Sequence, residues 1–200
     1  SVVTKGEDNI MKEVKEEIIS NLEKYSPKVE KKYKAIEDPI VYEVSLPDIH
    51  YGKIDGQTLA EAEEMYMDTV KDLMNKASGL NIERILLPVG NDGMNSEGYS
   101  RATTKGTSQQ DSAGWQETFV GYCNLMVRAI NFLAETASVD VIVIQGNHDY
   151  ERMFYSGEFL RAFFLNDERV TVDNNYNSRK YYKYGTNMIM FTHGDKEKKA

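Results

Sequence analysis

Cysteine is almost missing from this chain of 200 residues, which has one, Cys123. No intrachain disulfide can form, so stability must come from a packed core. Cys123 lies within an apolar helical pattern and reads as a buried, inert thiol. Proline is scarce, at four residues, and 40% of the chain is apolar. With no low-complexity tract long enough for a linker, one α/β domain is expected to form the main body. No run of roughly eighteen apolar residues occurs, and the N-terminus is charged rather than basic and then apolar, so no membrane partner or secretion is expected and the cytoplasm is. Positive charge is also short: 24 Lys and Arg against 32 Asp and Glu give a net charge of −8. That balance argues against a broad basic face for duplex nucleic acid. Carboxylates that hold divalent cations count as negative in such a sum, so the field at a phosphate site can still be positive.

Histidine is rarer still than proline, and its placement is informative. The three histidines lie in Pro47-Asp48-Ile49-His50, Gly146-Asn147-His148-Asp149 and Thr192-His193-Gly194-Asp195. Each segment reads as a strand end followed by a polar loop, with a carboxylate beside the imidazole. These are the ingredients of a metal site that handles an oxyanion.

Residues from about Glu7 to Lys34 are rich in Lys and Glu, with Ile10, Val14, Ile18, Ile19 and Leu22 at helical spacing. The pattern predicts an amphipathic helix docked by its apolar stripe; charges of mixed sign disfavour a nucleic-acid or membrane role. From Pro39 the period changes. Strands are expected at Ile40 to Leu46, Glu83 to Val89 and Val139 to Ile144, alternating with helices at Thr58 to Ala77, Trp115 to about Thr136 and about Glu151 to Leu165. Further strands are expected at Arg169 to Val172, Lys180 to Tyr184 and Met188 to Phe191. Strand, loop and helix in repetition give α/β architecture with mostly parallel strands, whose ligands bind beyond the strands' carboxyl ends. The organisation is therefore residues 1–36 as an N-terminal amphipathic helical segment and 37–200 as the main domain.

Asp48 and His50 are two apart on what reads as an extended segment, so both side chains would leave one face and bind one metal. Asp92 ends the next strand and can bridge two ions; Asn147 offers an amide oxygen and His193 another imidazole. This mixture of carboxylate, imidazole and amide suits Mn, Fe or Zn better than Ca, with Ni a further candidate.

Asp48-x-His50, Gly90-Asn91-Asp92-x-x-Asn95, Gly146-Asn147-His148-Asp149 and His193, in this order, resemble four of the five motifs of the calcineurin-like metallophosphoesterase family. The likeness covers about Pro39 to Asp195, and a narrower likeness is to phosphoesterases of phages and prophages, which places the protein in a bacterial or phage-infected cell. The resemblance implies a four-layer α/β/β/α sandwich with mixed central sheets, truncated in its C-terminal part. It also implies two divalent metal ions, Mn first among the candidates: Asp48 and His50 on one, Asn147 and His193 on the other, Asp92 bridging. His148, held by Asp149, would be the catalytic proton donor or transition-state stabiliser at the leaving-group oxygen. The expected activity is hydrolysis of a phosphodiester, of a nucleotide or nucleic acid among others, by a water activated between the metals. A non-catalytic interaction module of a larger phage or replication and repair assembly is the alternative.

Two features depart from the family pattern. Asn91 intervenes between Gly90 and Asp92, which is read as a one-residue bulge that still aims Asp92 inward. The fifth motif, Gly-His-x-His, does not occur, and with Ser1 at the start and a Lys-Glu-Lys-Lys run at the end the chain reads as part of a longer polypeptide. Weak metal occupancy and impaired hydrolysis are the expectation for the chain as it stands.

The stretch from about Ser96 to Gly114 is longer than a connection requires and is either a substrate lid or a mobile loop. Arg101 and Lys105 within it are candidate substrate contacts, as is Asn95, which is equally explained as a turn residue. Lys180-Tyr181-Tyr182-Lys183-Tyr184 reads as a strand with ordinary cross-strand packing rather than a base-stacking surface. Trp115 is expected in the core.

Overall fold

The computed structural model describes Ser26 and residues 28–197. Four strands, β1 (Ile40–Glu43), β2 (Ile82–Gly90), β3 (Ser138–Ile144) and β4 (Val170–Asp173), form one sheet in the order β1-β2-β3-β4. Every pairing in it is parallel. Helices α1 (Leu59–Lys76), α2 (Trp115–Leu133) and α3 (Tyr150–Phe163) make the crossovers. Strand order that advances one way with crossovers of one hand puts all three helices on the same face.

Side-chain alternation separates the two faces. Ile85, Leu87, Val89, Val139, Val141 and Val143 point into the main core with residues of all three helices. Leu86, Ile142 and Ile144 point the other way, onto Phe191, Tyr182 and Ile189. These last belong to an antiparallel hairpin, β5 (Lys180–Tyr184) and β6 (Asn187–Phe191). The described chain is thus α/β with helices, a parallel sheet and a two-stranded sheet in layers. The central sheet is wholly parallel rather than mixed, and His193 follows a strand of the hairpin, not of that sheet.

Local chemistry accounts for the element ends. Thr58 and Glu61 form a reciprocal capping box at the start of α1, satisfying amide groups that a helix leaves unpaired. Pro88 sits within β2, where the β1 ladder has already ended opposite Leu86, so one side of the strand is an edge there. β3 is buried at every residue, as its apolar run requires between two layers. Tyr182 and Tyr184 face the main sheet through hydrogen bonds to Asp140 (2.6 Å) and Glu83 (2.8 Å), while Tyr181 is 59% exposed on the outer side.

Two expectations need correction. The predicted N-terminal helix lies, up to Tyr25, outside the described residues, and its last part is not helical: Val29 forms a bridge with Asp167, and Ser26 holds Asn166 through its hydroxyl and carbonyl oxygens. Backbone pairing with the turn after α3 replaces the helical bonds. Trp115 is not core but 38% exposed; it opens α2 at the edge of the fold, where its carbonyl accepts from Arg152 (2.9 Å). No helix of the described residues is long and apolar enough to cross a membrane.

Candidate metal centre

The loops that follow β1 and β2 run side by side. Backbone N–H groups of Asp48, His50 and Tyr51 donate to the carbonyls of Asn91, Asp92 and Gly93 at 3.0, 3.0 and 2.8 Å. This ladder brings His50 onto Asp92. It also bends the chain: φ is +56° at Asp48 and +43° at His50. The Asp48-to-His50 segment is therefore not extended, and the two side chains do not share a face by strand alternation. Left-handed backbone replaces it, stabilised by the ladder.

The second loop is left-handed at three successive residues, with φ of +89°, +53° and +63° at Gly90, Asn91 and Asp92. The extra residue is absorbed there, and Asp92 turns inward at 5% exposure. Its Oδ1 accepts the backbone N–H of His148 (2.9 Å). Gly146 makes this approach possible, because a Cβ on it would stand 1.9 Å from that same oxygen.

His50, Asp92 and His148 each offer a ligand atom, and these atoms lie within 4.8 Å of one another, so the group can hold a metal ion. The His50 and His148 rings meet edge to face, centroids 4.5 Å apart. Burial, and then the neighbouring His148, lower the His50 pKa, which favours the neutral ring with one nitrogen lone pair available. The buried His50 Nδ1 has no hydrogen-bond partner among the described residues, a costly state that a cation would relieve. His148 Nδ1 lies 2.8 Å from the Asn95 carbonyl. Since a carbonyl only accepts, Nδ1 carries the proton and Nε2 presents its lone pair.

A second set of atoms shares Asp92. His193 Nε2 is 2.9 Å from Asn147 Oδ1 and 3.6 Å from Asp92 Oδ2. Its Nδ1 meets Asn91 Oδ1. A neutral imidazole has one N–H and here faces two amide oxygens. Turning either amide about, or a metal cation at Nε2, resolves the clash of lone pairs, and imidazole, amide and carboxylate together are a donor set that could hold a metal.

Several residues stand elsewhere than the sequence suggested. Asp48 is exposed and outside the close group, although its charge acts on His50. Asp149 does not hold the His148 ring. It is fully buried, its oxygens accept the N–H groups of Met94 (2.9 Å) and Gly146 (3.1 Å), and burial pushes its pKa up to about 7. Its work is to tie the loop after β2 to the loop after β3. Asn95 reaches the site through its carbonyl, while its side chain donates to Asp111 (2.8 Å). Asn91, read from sequence as an intervening residue, orients His193; its only signal was an Asn in a Gly-rich strand-end turn.

The long loop folds back on itself. Ala102 bridges Ser108, Lys53 bridges Asp111, and the Thr104 N–H donates to the Asn147 carbonyl (2.8 Å). The loop tip thus lies against Asn147. Arg101 and Lys105 are exposed on it. No protein-family model, curated protein or solved structure matches this chain.

Proposed function

We propose that this chain is a metal-dependent phosphoesterase of the calcineurin-like type, acting on a phosphodiester through two divalent ions, Mn first and Fe, Zn or Ni as alternatives. The observation that carries the reading is the sharing of Asp92: its carboxylate stands between the His50 and His148 group and the Asn147 and His193 pair. Two ligand sets meeting at one carboxylate suit a pair of ions about 3.5–4 Å apart.

When bound, such ions supply positive charge to phosphate oxygens and acidity to a water. The chain's residues do the rest. His50 and Asp92, with the charge of Asp48 beside them, would hold the first ion, and Asp92, Asn147 and His193 would hold the second. His148 is assigned to the leaving-group oxygen: its Nδ1 proton is held by Asn95, so a proton taken up at the Nε2 lone pair is the one it delivers. Arg101 and Lys105 add positive charge at the rim. The retention of every one of these side chains favours an enzyme over a non-catalytic module, and a nucleotide or nucleic-acid end is the proposed substrate class.

The test is Mn²⁺-dependent hydrolysis of bis(p-nitrophenyl) phosphate beside p-nitrophenyl phosphate. Slow but Mn²⁺-dependent activity on the diester, lost in Asp92→Asn, is expected, in keeping with the missing fifth motif. A folded, Mn²⁺-binding protein that cleaves neither ester would defeat the reading, and faster cleavage of the monoester would defeat the diester preference.

A further inference from the structure

The loop that carries His50 has a second side. Behind it lies a cavity of about 400 Å³, with Asp48, Ile49 and His50 on the loop wall and Leu59, Ala62, Met65 and Tyr66 of α1 opposite. Lys53, Asp55 and Gln57 stand at the polar part of its lining. The volume falls within the range of small-molecule sites, roughly 300–1,000 Å³. His50 is the shared element: it belongs to the metal group and also lines the cavity.

The lining selects a chemistry. Aliphatic and thioether surfaces of α1 favour a flat apolar face. The ammonium of Lys53, the amide of Gln57 and the carboxylate of Asp55 offer donors and acceptors to an edge that carries both. An aliphatic chain would make no use of those polar groups, which are exposed at the rim, and a bare sugar would strip water from its hydroxyls against apolar walls. A heteroaromatic ring meets both demands.

We propose that this cavity receives the heteroaromatic base of a nucleotide-like substrate whose phosphate lies at the metal group, an inference that rests on the phosphoesterase reading. The base and the phosphate are then on opposite sides of His50, and the cavity rather than the metal group sets which ester is accepted.

Adenosine tests this in metal-free protein, because it carries no phosphate and its binding does not depend on hydrolysis. Calorimetric titration should give saturable binding, and amide shifts in nuclear magnetic resonance spectra should fall on the loop from Ile49 to Thr58 and the first half of α1. Ala62→Trp, which fills the cavity, should weaken binding by about tenfold or more. Met65→Trp, at a side chain 55% exposed, gives the same reading if the first variant does not fold. No saturable binding to the wild type, shifts confined elsewhere, or unchanged affinity in a folded tryptophan variant would overturn the proposal. Mononucleotide and short-oligonucleotide arms separate a free nucleotide from a strand end. Hydrolysis of methyl p-nitrophenyl phosphate by the wild type, followed in parallel, keeps the two readings apart. Hydrolysis without adenosine binding removes the cavity assignment alone; adenosine binding without hydrolysis removes the phosphoesterase reading and with it the placement of a phosphate beside the base.

Discussion

The Asn147 amide oxygen and the His193 Nε2 meet at 2.9 Å across 46 residues of sequence. Two ligands bonded at about 2.1 Å and at right angles on one ion stand about 3 Å apart. On the proposed reading the pair would share a cation, and the third atom, Asp92 Oδ2, is 3.6 Å from the same nitrogen.

Metal binding should accordingly stabilise the fold. Mn²⁺ at about a hundred times its dissociation constant is worth about 2.7 kcal/mol, or a rise in Tm of about 5–10 °C for a chain of this size. His193→Ala should remove much of that rise while leaving the Tm in chelator within about 2–4 °C. An equal rise in wild type and variant, followed by scanning calorimetry, would take His193 out of the site.

His148 separates a proton donor from a ligand. His148→Ala is expected to lower kcat about 100-fold or more and to leave the Mn²⁺ dissociation constant within about twofold, whereas His50→Ala should weaken Mn²⁺ by about 10–100-fold. If His148→Ala weakens Mn²⁺ as much as His50→Ala does, its nitrogen is a ligand and the proton comes from another group.

The hairpin is pinned to the sheet by Asp140, which pairs with Arg84 and accepts the Tyr182 hydroxyl. Asp140→Ala leaves both donors unpaired, a loss of about 1–3 kcal/mol, with partial exposure of Arg84 favouring the lower end. The urea midpoint should fall with an unchanged slope. Because β6 leads to His193, Mn²⁺ affinity should fall too; a midpoint that stays put would show that apolar packing alone holds the hairpin.

Cys123 is 3% exposed beside the Ser156 hydroxyl, and burial raises its pKa above the usual thiol value. The neutral thiol is the form the fold prefers. Its contribution to stability is complete below the unfolded pKa and is lost as pH rises through the higher folded one. At pH 8 a disulfide reagent should therefore modify the native protein about 100-fold more slowly than the urea-unfolded chain. Comparable rates would mean that α2 opens readily.

Much of the secondary structure is legible in the sequence because period and end signals are local. The capping box at Thr58 and Glu61, the apolar run of β3 and the alternation in β5 each need only neighbouring residues. The polar strand-end loops also mark Asp92, Asn147, His148 and His193 as site candidates. Spacing alone misjudged Asp48 and His50, since their left-handed backbone arises from hydrogen bonds to residues 91–93. It misassigned Asp149 for the same kind of reason: adjacency to His148 in the chain suggested a partner, while the loop geometry turns the carboxylate toward Met94 and Gly146.

The sequence by itself determined that this is an α/β chain with its imidazoles and inward carboxylate at strand ends, because hydrophobic period and turn chemistry act over a few residues. Only the tertiary structure decided which nitrogen faces which oxygen. That depends on the parallel register of β2 and β3, on the missing Cβ of Gly146 and on a hairpin held across the sheet by Asp140 and Tyr182. These are contacts between residues tens of positions apart, and their geometry is set by packing that no local pattern encodes.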